Sequence, residues 1–350
     1  MTMTGTDWRR SVMVVAAAVA LVSVVAASID GTTSTRNGEG GTAARVTFSG
    51  IAATRSAGCG RTPVPGPRDI AAAAITAAAI TTGDVPQSLP VGGISRTYRL
   101  AVPARYRPSS PTPLILLFHG SGSDALEASL YTQLPSRASH AGFLVASPDA
   151  EGKQWQISLP GARTNDLAFV AALITDLSAR YCIDRSRVYA AGFSLGSEFS
   201  AIAACTGANR IAAIGLVAAE FLLRPCTGPV PVIAFHGTDD PLVPYYSGRT
   251  GASFPGVPVI GVEQNLINWA RLDGCRPVAT RARPASMVLR QTWAGCTRRA
   301  AVILYTVEGG GHAWPGSPIT LPVGTFGRTT HQVDATALMI RFFECRGRAR

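Results

Sequence analysis

An α/β architecture with a mainly parallel central sheet follows from three features of this 350-residue chain. Several short runs are apolar on both faces, the pattern of strands buried within a parallel sheet. The segments between them carry apolar residues at helical spacing. The alternation runs on to the C-terminus after residue 90 with no internal repeat and no break, so one domain is expected, its sheet flanked by helices.

Taken in order, Ile94 to Val102 suits a strand, and Pro113 to Phe118 is a continuous apolar run that ends at His119-Gly120. Gly142 to Ser147 is a second such run and ends at Pro148-Asp149. Asn165 or Asp166 can cap a helix in which Phe169, Val170, Leu173, Ile174 and Leu177 recur on one face. A strand at Val188 to Ala191 leads to a helix after Ser194, and further strands follow at Ile211 to Val217, Val230 to Phe235 and Val302 to Val307. The last element is a helix capped near Asp334 that carries Leu338 and Phe342. Pro135 interrupts the segment after the first apolar run, and His140 falls in a polar loop.

Composition narrows the class. The chain is 47% hydrophobic and 15% charged, which excludes a disordered or acidic solvating protein. Its net charge of +11 is almost entirely arginine, since Lys153 is the only lysine. Those arginines are scattered singly or in pairs such as Arg298-Arg299, whereas a nucleic-acid surface gathers them on one face. No nucleic-acid partner is expected.

Residues 1–28 read as an export signal, with an uncleaved N-terminal anchor as the alternative: Arg9 and Arg10 precede an apolar stretch from Val12 to Ala27 that ends in small residues. That stretch falls short of the ~20 residues of a membrane span, so no stable span is expected after processing. Residues 29–56, rich in Gly, Thr, Ser and Ala, read as a linker, and the catalytic domain is assigned to residues 57–350. The alanine-rich stretch 70–83 fits helix and strand alike. In an exported chain the seven cysteines imply disulfides, with at least one thiol left over because the number is odd. Cys275 with Cys296 is the pairing expected, stapling one surface excursion.

The sharpest local signal is Gly192-Phe193-Ser194-Leu195-Gly196, directly after a strand and before a helix. Small flanking residues let the chain reverse from strand to helix and thrust the serine hydroxyl clear of the backbone. A serine hydroxyl is a weak nucleophile that needs an imidazole base, which in turn needs a carboxylate to orient it. Both lie downstream at strand ends. Val230 to Phe235 exits into His236-Gly237-Thr238-Asp239-Asp240, and Val302 to Val307 exits into Glu308 and three glycines before His312. The residue types leave Asp239 and Asp240 both open as the carboxylate. His119, His140, His236 and His331 are assigned to loop structure instead. An oxyanion would draw one N–H from Leu195 and a second from the loop His119 to Gly122, at Ser121. Gly120 to Ala125 also matches G-x-G-x-x-A with Asp149 ending the next strand, a dinucleotide-binding pattern. Pro135 and the export signal oppose that reading.

With these motifs in view, the chain from about Ser56 to Arg346 resembles the secreted esterases grouped with poly(3-hydroxybutyrate) depolymerases and feruloyl esterases, a branch of the α/β-hydrolase fold. The resemblance rests on Ala57 to Gly60, Ser95 to Tyr98, Pro113-Leu114 through His119-Gly120, Pro148-Asp149 with Trp155, and Arg187-Val188-Tyr189 leading into the serine turn. HGTDDPLVPY from His236 to Tyr245 and GGGHAWPG from Gly309 to Gly316 complete it. It implies Ser194 as nucleophile, His312 as base and Asp240 as acid, the position before proline deciding against Asp239. Two positions depart from the family. Ser197 stands where a glycine is usual, and Leu195 brings apolar bulk beside the acyl site.

The expected activity is hydrolysis of a carboxylic ester: a short-chain ester, a hydroxyalkanoate polyester oligomer, or a feruloyl or acetyl ester of plant polysaccharide. No cofactor and no metal are called for. Trp155, Phe193, Tyr245 and Trp314 are expected to wall the substrate site. A triad acyltransferase or peptidase on the same fold, and a non-catalytic binding module, are the alternatives.

Overall fold

The computed structural model describes residues 55–63, 83–157, 165–206, 211–222, 226, 228–253, 255–297 and 300–346. The proposed export signal, nearly all of the 29–56 linker and the alanine-rich stretch up to residue 82 lie outside the described residues. Arg55 bridges Asp184, and the Ser56 hydroxyl donates to the Tyr181 carbonyl, so the first described segment is stitched to the domain.

The elements in chain order are β1 (Gly83–Val91), β2 (Ile94–Val102), β3 (Thr112–Phe118), α1 (Ala125–Thr132), α2 (Leu134–His140), β4 (Leu144–Pro148), α3 (Asn165–Arg180), β5 (Ile183–Phe193) and α4 (Leu195–Cys205). There follow β6 (Ala213–Val217), β7 (Val232–Gly237), α5 (Val262–Leu272), β8 (Thr280–Ala285), β9 (Val288–Trp293), β10 (Val302–Val307), a single turn α6 (Val323–Phe326) and α7 (Ala335–Glu344). One ten-stranded sheet takes the order β1-β2-β4-β3-β5-β6-β7-β10-β9-β8. Strands β4, β3, β5, β6, β7 and β10 are mutually parallel, and antiparallel pairs close both edges. This is the α/β-hydrolase fold.

Packing follows the strand period. In β3, Leu114, Leu116 and Phe118 enter the core under α3, α4 and α5, while Ile115 and Leu117 enter the core under α1, α2 and α7. Every residue of β3 is buried, as a strand covered by helices on both faces requires. On the first face Phe169, Val170, Leu173 and Leu177 of α3 are buried, at the spacing read from the sequence. Asp166 lies in the first turn of α3, where its carboxylate receives the buried Arg96 guanidinium of β2 at 2.6 Å. At the C-terminus Asp334 caps α7 by accepting from the Ala337 N–H.

One local expectation is corrected. His140 is the last residue of α2, not a loop residue, because Pro135 sits in the first turn of that helix, where its missing N–H is no loss. The region from Val262 to Trp293 holds a helix and two antiparallel strands. Three disulfides staple the domain: Cys59 to Cys182, Cys205 to Cys226, and Cys275 to Cys296 as expected, with Cys345 free and exposed. No helix among the described residues is long and apolar enough to cross a membrane.

Candidate active site

The parallel strands set the place of the site. From β3 the chain moves outward to β4, then returns to the other side of β3 as β5. Loops leaving the C-terminal ends of β3 and β5 therefore diverge, and open α/β sheets bind ligands in such a crevice. The loop from His119 leaves β3 there, and Ser194 leaves β5.

Ser194 occupies the turn between β5 and α4 with φ 53° and ψ −122°, a backbone conformation that costs about 1–3 kcal/mol and is held by its surroundings. Its N–H donates to the Val217 carbonyl, and its carbonyl accepts from the Ser197 and Glu198 N–H groups. The flanking glycines are forced by close approach. A Cβ on Gly192 would lie 2.1 Å from the Gly196 carbonyl oxygen, and one on Gly196 would lie 2.2 Å from that of Phe118. Ser197, where relatives of the resembled group carry glycine, is accommodated because its buried hydroxyl donates to the Ala219 carbonyl.

His312 follows β10, with its N–H donating to the Phe326 carbonyl at 2.6 Å. Its Nδ1 lies 2.7 Å from Asp240 Oδ2. Asp240 Oδ1 accepts from the N–H groups of Leu242 and Val243, each at 2.8 Å. Burial alone would raise the Asp240 carboxyl. The His312 charge and the hydrogen bonds from His236 and His312 outweigh it and hold the group below the usual carboxylate range. Asp239 is exposed and engages Thr238, so the two neighbouring carboxylates are separated by geometry.

Ser194 and His312 line one cavity of about 290 Å³, together with Gly120 and Ser121 of the β3 loop. The Phe193 ring lies 4.9 Å from the His312 ring. The rest of the wall is largely apolar: Leu130 and Tyr131 of α1, Leu242, and Ile319, Leu321 and Phe326 from the segment after His312. The β3 loop is braced from below. His119 Nε2 accepts from the Ala150 N–H, which leaves Nδ1 to donate to the Gly120 carbonyl, and the Trp155 indole N–H donates to the His119 carbonyl.

Of the four aromatics expected around the substrate, Phe193 lines the cavity and the other three do not. Trp155 is buried, stacked on Phe199 with ring centroids 4.6 Å apart. Tyr245 is buried and its hydroxyl shares a 2.7 Å hydrogen bond with Thr306. Trp314 is fully buried and its indole donates to Thr336. Each turns inward because an indole or phenol partner waits in the core. Leu195 likewise packs into the core beneath the sheet and does not line the cavity.

The sequence reading passed over Leu130, Tyr131, Ile319, Leu321 and Phe326, and also three buried ionisable groups behind the site. His236, read as a loop residue, sits between Glu220 and Asp240, and Glu198 lies on the first turn of α4. A signal existed for two of these. Glu198 and Glu220 are single acids in otherwise apolar stretches, a placement that demands a partner or a retained proton.

No family model matches the chain. Among curated proteins it is 29% identical to a putative esterase, NocK, of Nocardia uniformis subsp. tsuyamanensis, over 72% of this chain and 80% of that one. It is 28% identical to feruloyl esterase B of Piromyces equi, over 60% of this chain and 41% of that one. Feruloyl esterase D of Neurospora crassa is 26% identical, over 63% of this chain and 75% of that one. Fold and relatives together define the class: the chain is a carboxylic ester hydrolase of the α/β-hydrolase fold.

Proposed function

We propose that the protein is a serine ester hydrolase in which Ser194 is the nucleophile, His312 the general base and Asp240 the orienting carboxylate. The observation that carries this reading is the 2.7 Å contact from His312 Nδ1 to the buried Asp240 carboxylate, with His312 and Ser194 on the wall of one cavity. Ser194 Oγ attacks the ester carbonyl while His312 Nε2 takes its proton, and Asp240 keeps the imidazole in the tautomer with Nδ1 protonated. The N–H groups of Leu195 and Ser121 receive the oxyanion. His312 then protonates the departing alcohol, and a water deprotonated by His312 releases the acid from Ser194.

The acyl side of the substrate fits an apolar pocket with a volume at the small end of ligand sites. Together with the feruloyl esterases among the relatives, this favours an aromatic or short acyl group esterified to a plant polysaccharide over a hydroxyalkanoate polyester. The basic leader with its apolar stretch and the three disulfides support action outside the cytosol. Ser194→Ala is expected to keep the fold and abolish turnover of p-nitrophenyl acetate and methyl ferulate. Full activity in that variant would overturn the mechanism, and a panel that includes hydroxybutyrate oligomers would rank the substrates.

A further inference from the structure

The proposed triad uses one imidazole, yet a second lies against the same carboxylate. His236 Nε2 is 3.2 Å from Asp240 Oδ2, the oxygen that also meets His312 Nδ1. The same Nε2 is 2.9 Å from the Val243 carbonyl, and Nδ1 is 2.7 Å from Glu220 Oε2. Every group in this line is buried: His236 is 1% exposed, Glu220 2%, Asp240 6% and His312 2%.

The partners of the His236 ring decide its form. A neutral imidazole has one N–H and one lone pair, so one nitrogen would point its lone pair at an acceptor. Here Nδ1 meets Glu220 Oε2 and Nε2 meets a carbonyl and a second carboxylate. Burial raises the Glu220 carboxyl and the His236 charge lowers it, and with Glu220 ionised no donor faces either nitrogen. Two N–H groups satisfy all three contacts, and the flanking acids offset the buried charge. Burial alone would lower the basicity of the ring. The charge of Glu220 and the hydrogen bonds to Asp240 and Glu220 outweigh it, so the ring holds its second proton well above its ordinary range.

On the reading of Ser194, His312 and Asp240 given above, we propose that His236 is a positioning residue for ester cleavage. It is a buried imidazolium, anchored by Glu220, that clamps Asp240 Oδ2 in place to receive His312 and offsets part of the Asp240 charge. The surroundings come from every neighbouring element. Glu220 follows β6, with its carbonyl accepting from the Trp269 indole of α5. Glu198 stands on α4 near Glu220. Asp240 and the Val243 carbonyl follow β7, and His312 follows β10. The Tyr245 ring meets His236 edge-on at 5.9 Å, with its hydroxyl turned to Thr306.

The test is the pH profile of kcat/KM on p-nitrophenyl acetate for the full protein and for His236→Gln, normalised to active sites titrated with a fluorophosphonate. Without the imidazolium, Asp240 presents its whole charge to the imidazolium that forms at His312 during reaction. The acid limb should therefore move to higher pH by about one unit, the scale of removing one charge at this range. The kcat per titrated site should fall about tenfold with KM nearly unchanged, as when an oriented base is loosened. A purely structural His236 would lower the melting temperature and the titrated fraction while leaving the acid limb where it was, and that result overturns the proposal. His236→Asn, a smaller neutral amide, removes the same charge and should move the limb in the same direction, which covers the case in which His236→Gln does not fold. Independently of any variant, the ring-15N spectrum of the five histidines should contain one buried imidazolium at pH 8. Five neutral rings would refute the assignment. If Ser194→Ala and His312→Ala kept activity, the triad itself would fail. If they abolished it while both His236 variants kept the wild-type acid limb, only the role of His236 would fail.

Discussion

Glu198 gives the most direct physical test of the interior behind the site. It lies four residues past Ser194 on the first turn of α4 and is 5% exposed. Burial, with the charge of Glu220 adding to it, pushes its carboxyl from 4.5 up to about 8. Between those pH values the folded chain keeps a proton that the unfolded chain releases, so stability falls as pH rises through this window. At about 1.4 kcal/mol per pH unit, the penalty is near zero at pH 4 and on the order of 3 kcal/mol at pH 7. Glu198→Gln removes the titration while keeping shape and volume. At the ~2 °C per kcal/mol expected for a domain of this size, the variant should gain about 6 °C in Tm at pH 7 relative to its difference at pH 4.5. Differences in how the amide hydrogen-bonds add an offset that does not vary with pH, so the slope alone reports the proton. Asp273, also pushed up, to about 7 by burial, titrates in both proteins and cancels in the comparison. Thermal unfolding of both proteins at half-unit steps from pH 4.5 to 8 is the assay. A Tm difference that stays flat across that range would show that Glu198 is not a retained carboxylic acid and would refute the reasoning.

Three further outcomes follow from contacts described above. Asp240→Asn should leave Tm within a few degrees and lower kcat by about 10⁴-fold, since an amide selects the wrong His312 tautomer; stopped-flow hydrolysis of p-nitrophenyl acetate measures it, and a loss under tenfold would count against Asp240 as the orienting group. Arg96→Met should destabilise the domain by about 3–5 kcal/mol in urea, because it strands the buried Asp166 carboxylate without its 2.6 Å partner. The disulfides should differ in weight: replacing the Cys59–Cys182 pair by serines should remove about 5 kcal/mol, against about 3 for Cys275–Cys296, since the first spans 123 residues of chain and the second 21. Equal losses in urea would argue against loop closure as the source of the stability.

The sequence displays the centre of this fold far better than its edges. Val302 to Val307 coincides with β10 and Pro113 to Phe118 misses β3 by one residue, while Ile94 to Val102, next to the edge, coincides with β2 through its alternating pattern. Central strands buried on both faces must be apolar throughout, and that pattern needs no context to read. β1 contains Pro86 and Pro90, and β8 is almost wholly exposed with arginines along it, so neither carries a burial pattern. Both are edge strands, where proline and charge are tolerated and limit pairing with other chains. α5 was within reach, because Val262, Leu266 and Trp269 fall at i, i+4 and i+7. In the site, Ser194 and His312 stand out because each follows a readable strand, whereas the residue types left Asp239 and Asp240 both open and only the resemblance chose Asp240. The cavity wall is not. Trp314 lies two residues past His312 and still turns into the core, a choice made by the loop and by Thr336, far along the chain.

The sheet order explains why the chemistry demands glycine where no turn requires it. The proposed parts leave successive parallel strands: Ser121 after β3, Ser194 after β5, Glu220 after β6, His236 and Asp240 at the end of β7, and His312 after β10. β5 and β10 are three strand spacings apart, about 14 Å, more than an imidazole can bridge from its own strand. The segment Gly309 to Gly311 must therefore run back across the end of β7 to bring His312 to the cavity. It passes so close that a Cβ on Gly237 would lie 2.2 Å from the Gly310 carbonyl oxygen, and one on Gly311 would lie 2.1 Å from that of Phe326. His236 and Asp240, beside Gly237, are almost wholly excluded from water. Gly237→Ala would push this crossing outward and so should withdraw His312 from the cavity, lowering kcat on p-nitrophenyl acetate at least tenfold; unchanged turnover would count against the crossing as what places His312.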